Sequence, residues 1–200
     1  MRRKERPFKI GYGYDSHRFL NEEEKKYLSE KNSFENETDY FFKGKNLIMG
    51  GVILEDKYQK TYGPFKSRSD GDVIYHAVVN GILSAIGKKE ARDIGSVFPN
   101  TDKANSKRSS SDFMEKAIEL LKNTPYEVSE LKIMLKGKPR VNLLEVEKNI
   151  ESFFSFQEFS PDIHLQGTSG EDMDAAGKGL GVEVFALCLL QHKKLRIDIS

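Results

Sequence analysis

Apolar and polar positions alternate through "FKIGYGY", residues 8–14, which predicts a first strand. The following "NEEEKKYLSEKNSFENETDYFFKGKN" scatters aromatics among Lys, Glu and Asn without a period. It cannot bury a continuous face, so about 21–45 is expected to be a mobile surface insertion. Strand character returns at "LIMGGVIL", where Gly50-Gly51 marks a turn or bulge. "SDGDVIYHAVVNGILSAIG" then predicts the clearest helix, with Ser69 as N-cap and Asp72 completing a capping box. Val73, His76, Ala77, Asn80 and Leu83 fall near one face of that helix.

Further on, "RDIGSVFPNTD" reads as a loop and "DFMEKAIELLKN", opening at Ser111, as an amphipathic helix. "EVSELKIMLKG" alternates as a strand that runs into the basic turn "KGKPR". "LLEVEKNIESFFSF" repeats its apolar residues at helical spacing. "DIHLQGT" is a short strand, "GTSGEDMDAAGKGLG" a glycine-rich loop, and "VEVFALCLLQ" the last strand. Strands and helices mix without internal repeats. The expected fold is α+β, one domain spanning 1–200 with a mixed β-sheet packed by helices.

Composition narrows the partners. The 200 residues include 32 basic and 31 acidic side chains, so no global field attracts nucleic acid, and none is expected as a partner. No apolar run reaches the roughly 20 residues of a spanning helix, and no membrane partner is expected. Cys188 is the single cysteine, which excludes an internal disulfide and a cysteine-rich zinc module. It lies in an apolar run and reads as an inert buried thiol. "MRRKERPF" is basic and lacks the apolar stretch of a secretory signal; a trimmed transit segment and a charged tail both fit it. There is no GxxxxGK[ST] loop and no GxGxxG between a strand and a helix.

Candidate chemistry starts with Asp15 and His17 in "GYGYDSHRF". Side chains at i and i+2 of a strand project to one side, so the pair can grip one ion. His76 can supply a third ligand, and two imidazoles with one carboxylate form a catalytic-type zinc set. An ordinary salt bridge and a half-buried helix histidine account for the same residues. His164 and His192 carry no such pattern.

The ordered blocks "GYGYDSHRF", "SDGDVIYHAV", "DIGSVFPNTD", the Lys-Pro turn and the Thr-Ser-Glu loop together resemble the 2-C-methyl-D-erythritol 2,4-cyclodiphosphate synthase family. The likeness covers the chain apart from the insertion after Leu20. It implies a homotrimer with active sites at subunit boundaries and a cytidyl diphosphate substrate. In that family the 2-phosphate of 4-diphosphocytidyl-methylerythritol 2-phosphate attacks the inner phosphorus and expels CMP. By the same resemblance, Asp15, His17 and His76 would hold Zn2+, and Glu171 a second cation, Mg2+ or Mn2+. Ser69, Asp93, Ile94, Gly95, Phe98, Asn100, Thr101, Asp102, Thr168 and Lys178 would contact substrate. Lys136, Gly137, Lys138, Pro139, Arg140, Val141 and Asn142 would form the cytidine pocket. Arg68 and Ser169 would be the catalytic contacts.

Several positions depart from the family pattern. Arg68 replaces a histidine, with a permanent charge and bidentate donors. Ser169 replaces threonine, and Asn100 an aspartate. Ala175, Lys178 and Leu180 replace an aromatic, an arginine and a glutamate. A catalytically impaired metal- and phosphate-binding paralogue is the second reading these departures allow. The Asn/Lys/Glu-rich insertion points to a plastid-type organelle, with the bacterial cytoplasm as alternative.

Overall fold

Gly11, Gly13, Asp15 and His17 occupy alternate positions of one strand, β1, which runs over Phe8–Arg18 in the computed structural model. The structure describes residues 6–30, 46–67, 69–99 and 108–195. The strand predicted over 8–14 therefore continues through the polar Asp15-Ser16-His17, because its inward face alternates to the end. After β1 come helix α1, Glu22–Glu30, and the short strands β2, Ile48–Met49, and β3, Val52–Ile53. Helix α1 occupies the start of the stretch expected to be a mobile insertion; residues 31–45 lie outside the described residues.

Helices α2, Asp56–Tyr62, and α3, Val73–Ile86, follow, and then a single turn, α4, Ile94–Val97. Helix α5, Ser110–Lys122, strand β4, Tyr126–Lys136, and helix α6, Leu143–Ser152, come next. Strands β5, Asp162–Thr168, and β6, Gly181–His192, complete the sheet. Its strand order is β1-β6-β4-β5. The pair β4–β5 is parallel and the other pairs are antiparallel, so the sheet is mixed and the class is α+β, as expected.

Helix α3 is apolar nearly all round, which suits a helix buried between layers rather than one facing water. Val73, Ile74, Ala77, Val78, Val79 and Ile82 are all buried. Cys188 is buried beside it in β6, and burial pushes its thiol up to about 12, as an inert core thiol should be.

Glycine decides how closely α3 approaches the sheet. A Cβ on Gly13 would lie 1.9 Å from the Ala77 carbonyl oxygen, and one on Gly11 would lie 2.0 Å from that of Gly81. Backbone thus meets backbone, at a spacing no side chain at these strand positions permits.

The N-cap of α3 corrects the sequence expectation: it is Asp72, not Ser69. The Asp72 carboxylate accepts from Ile74 N and Tyr75 N at 3.1 Å each. It also accepts from Gly50 N at 2.8 Å and Gly51 N at 2.6 Å, tying the β2–β3 turn to the helix. Ser69 cannot do this because its hydroxyl is turned to His76 Nε2 and Gly71 N. Gly71, at φ +82, makes the reversal that separates the two residues. Asp72→Ala removes the cap and leaves buried N–H groups without acceptors. It is expected to cost about 3 kcal/mol, roughly 6–12 °C in Tm, measured by thermal unfolding followed by circular dichroism.

A second correction concerns "RDIGSVFPNTD", which is not loop throughout. Asp93 caps the turn α4 in a capping box with Ser96, and Ile94 N donates to Asn80 Oδ1 at 3.0 Å. Four residues are too few for a 3.6-residue period to show in sequence.

Candidate active site

Because β1 and α3 touch backbone to backbone, three separated side chains meet at their edge. Asp15 Oδ2 lies 2.9 Å from His76 Nδ1 and 3.2 Å from His17 Nε2. The two imidazole nitrogens are 3.3 Å apart. Four ligands set tetrahedrally around zinc at roughly 2.0–2.1 Å would be separated by about 3.3 Å, so the triangle fits to within a few tenths of an ångström. Two rings and a carboxylate turn lone pairs on one point, where one proton can satisfy a single contact and a cation all three. Among the described residues this is the group of His, Cys, Asp and Glu side chains able to hold a divalent ion.

The ring of His76 is buried, and its other nitrogen, Nε2, lies 3.2 Å from Ser69 Oγ and 3.0 Å from Ser110 Oγ. His17 packs against Phe65, and His76 against Phe113, which fixes both ring planes. A cavity of about 800 Å3 opens beside the group, bordered by His17, Phe19, Tyr62, Ala175, Leu180 and Val182.

A second cavity, of about 690 Å3, is bordered by Gly137, Lys138, Pro139, Arg140 and Val141. Thr168, Ser169 and Tyr62 also border it. Five of the seven residues expected to form a cytidine pocket therefore line one hollow. The other two are engaged locally: Lys136 pairs with Asp174, and Asn142 caps α6. Lys138 pairs likewise with Asp172. Hydrogen bonds donated to these carboxylates hold both ammonium groups above the usual lysine range, and Lys136 lowers Asp174 in return.

Ser169 donates to Glu171 Oε1 at 2.8 Å in the turn after β5. Glu171 and Asp172 both take left-handed backbone, at φ +50 and +59. That conformation is uncommon for residues other than glycine and is found at ligand sites. Glu171 stands apart from the Asp15–His17–His76 group in this chain. Lys178 is exposed, and its backbone N–H donates to the Asp174 carbonyl at 2.8 Å.

On the other side of His76, Phe98 packs at a tilt against Phe113, with ring centroids 4.7 Å apart. Asp93, Ile94 and Gly95 form the turn before it. Arg68, Asn100, Thr101 and Asp102 lie outside the described residues.

Sequence reasoning missed Tyr62, which borders both cavities, and the pair Asp70 and Ser110 behind His76. Nothing local marks Tyr62 or Ser110. The small residues Ala77, Gly81 and Ala85, spaced four apart opposite Gly11 and Gly13, were a legible sign of close packing.

The chain matches known proteins over nearly its whole length. A family model described as the YgbB family matches residues 8–191. The 2-C-methyl-D-erythritol 2,4-cyclodiphosphate synthase of the Plasmodium falciparum apicoplast is 31% identical over 190 residues, covering 92% of this chain and 72% of the relative. The enzyme of that name from Hydrogenobaculum is 34% identical over 154 residues, covering 76% of this chain and 91% of the relative. Among solved structures, the CDP complex of IspF from Plasmodium falciparum superposes with a TM-score of 0.60 at 26% identity, covering 93% of this chain and 97% of that one.

Proposed function

The chain belongs to the YgbB family, and from that membership and its site we propose that it is a lyase of the non-mevalonate isoprenoid pathway. It converts 4-diphosphocytidyl-2-C-methyl-D-erythritol 2-phosphate to 2-C-methyl-D-erythritol 2,4-cyclodiphosphate and CMP. The observation that carries this reading is the meeting of Asp15, His17 and His76 in a chain whose relatives bear that enzyme's name.

In the reaction an oxygen of the 2-phosphate bonds to the inner phosphorus of the diphosphate. The bond from that phosphorus to the bridging oxygen breaks, and CMP leaves with the electron pair. An anion attacks an anion, so holding the two phosphates together and offsetting their charge account for most of the barrier.

The nitrogen-rich donor set suits Zn2+ better than Mg2+, and such an ion polarises a phosphate oxygen when bound. Glu171, with hard carboxylate oxygens, suits the second ion, Mg2+ or Mn2+. Lys138 and the backbone of 137–141 would receive the nucleotide's base and ribose in the hollow they line. Ser169 and Thr168, which line the same hollow, would offer their hydroxyls to the diphosphate. Asp93, Ile94, Gly95 and Phe98, with Asn100, Thr101 and Asp102, are the candidate contacts of the methylerythritol phosphate, while Ser69 acts through His76, whose Nε2 its hydroxyl meets. Arg68 supplies fixed positive charge to the transition state, and Lys178 adds a second.

A homotrimer completes each site. The sheet face turned away from α3 supports this, because β1 leaves Phe8, Ile10, Tyr12 and Tyr14 exposed there, with Leu187 beside them on β6. An uncovered apolar sheet face marks a surface that associates. The apicoplast relative supports a plastid-type organelle as the location, and bacterial relatives the cytoplasmic alternative. No helix among the described residues is long and apolar enough to cross a membrane.

The test is to incubate the pure chain with the cytidyl substrate, zinc and magnesium. CMP should appear together with a cyclic diphosphate visible in the phosphorus NMR spectrum. No CMP above buffer overturns the reading. CDP binding without turnover makes the chain an impaired paralogue, and a linear product makes it a phosphodiesterase.

A further inference from the structure

Behind the metal group lies a chain of hydrogen bonds that the reaction does not use directly. His76 Nε2 lies 3.0 Å from Ser110 Oγ, and Ser110 Oγ in turn is hydrogen-bonded to Asp70 Oδ1. Asp70 also accepts from Ser110 N at 2.8 Å and from Ser109 Oγ at 3.3 Å through Oδ2, and from Asp72 N at 3.2 Å through Oδ1. Ser110, the first residue of α5, is fully buried at 0% exposure, so water does not compete for its hydroxyl.

The direction of each bond follows from the groups. A carboxylate only accepts, so the single hydrogen of Ser110 goes to Asp70. Its oxygen is left with lone pairs, and a contact to Nε2 then requires the hydrogen to be on Nε2. Ser69 agrees with this polarity. Its Oγ already accepts from Gly71 N at 3.1 Å, and it can pass its own hydrogen to Ser67 Oγ, 3.3 Å away. In the neutral ring the lone pair of His76 then falls on Nδ1, the atom 2.9 Å from Asp15 Oδ2, where a cation, or in its absence a proton, lies between the two acceptors.

We infer that Asp70 and Ser110 are positioning residues that set the tautomer and ring orientation of His76, so that Nδ1 is presented as a ligand before any ion arrives. This inference rests on the reading of His76 as a metal ligand. Hydrogen-bonded partners behind a ligating histidine typically change metal affinity by about 10–100-fold.

The experiment uses the full chain stripped of metal with a chelator. Long-range nitrogen-15 NMR of the imidazoles should find His76 protonated on Nε2. Zinc affinity, read by competition with a chromophoric chelator, should fall about 10–100-fold in Ser110→Ala. Ser110→Thr, which keeps the hydroxyl, should recover most of the loss. Asp70→Asn should fall as far, because either orientation of the amide turns an N–H toward a donor. The double variant Asp70→Asn with Ser110→Ala should be no weaker than the single ones, as members of one relay are not additive.

Hydrogen on Nδ1 with none on Nε2 in the wild-type protein overturns the inference. So does zinc affinity in a folded Ser110→Ala within about threefold of wild type. A wild-type chain that binds no zinc but carries hydrogen on Nε2 overturns the metal reading and supports the tautomer assignment. Should Ser110→Ala not fold, the wild-type spectrum and Asp70→Asn decide the matter.

Discussion

His76→Ala is expected to abolish stable zinc binding and to slow CMP release on the order of 1000-fold. The ring supplies one of three converging donors, and the remaining Asp15 and His17 hold an ion through two atoms. Loss of a direct ligand should exceed the roughly 10–100-fold effect of the partners behind it. A Lewis-acid contribution of several kcal/mol to an attack between two anions corresponds to about a thousandfold in rate. His164→Ala is the control, since His164 is exposed on β5 and contributes no atom to the group. Metal content after dialysis and CMP release by chromatography are the measurements. A His76→Ala chain that retains one tightly bound zinc per subunit would remove this centre from the mechanism.

Gly13→Ala is expected to be nearly as damaging, although it adds only one methyl group. The new Cβ would stand 1.9 Å from the Ala77 carbonyl oxygen and 2.5 Å from Gly81 N, both backbone atoms that cannot rotate aside. Helix α3 would have to retreat by roughly 1 Å, at a cost of about 3 kcal/mol or more. The same retreat pulls His76 from Asp15, so zinc affinity should fall along with Tm. Gly81→Ala is the contrast. It faces the same contact, but its Cβ would meet nothing nearer than 3.6 Å, and alanine is the better helix former by about 1 kcal/mol. Gly81→Ala should therefore be neutral or stabilising. Equal effects of the two substitutions in thermal unfolding would show that close strand–helix contact does not set the geometry of the centre.

That contrast also marks where sequence reading stops. The period of 2 in "DIHLQGT" and the period of 3.6 in "DFMEKAIELLKN" are local properties, written in neighbouring residues and independent of what packs above them. Strand β5 and helix α5 were legible for that reason. The pair Asp15 and His17 was legible too, since alternate residues of a strand share a side whatever the fold. Ser69 and Asp72 are both capping types, and sequence alone does not choose between them. The choice came from Gly50 and Gly51, two N–H donors brought from a turn more than twenty positions away, which only Asp72 meets.

The amino-acid sequence by itself determined the long strands β1, β4, β5 and β6, the helices α3, α5 and α6, the α+β class and the set of side chains with metal- and phosphate-seeking chemistry, but not the helices α1 and α2 or the turn α4. The tertiary structure alone decided that His76 meets Asp15 across 61 positions, that Ser110 and Asp70 stand behind it, and that Tyr62 borders both cavities. Propensity and periodicity act within a few residues of chain, whereas these meetings depend on the depth to which one helix sinks onto one strand. Two missing side chains, at Gly11 and Gly13, set that depth.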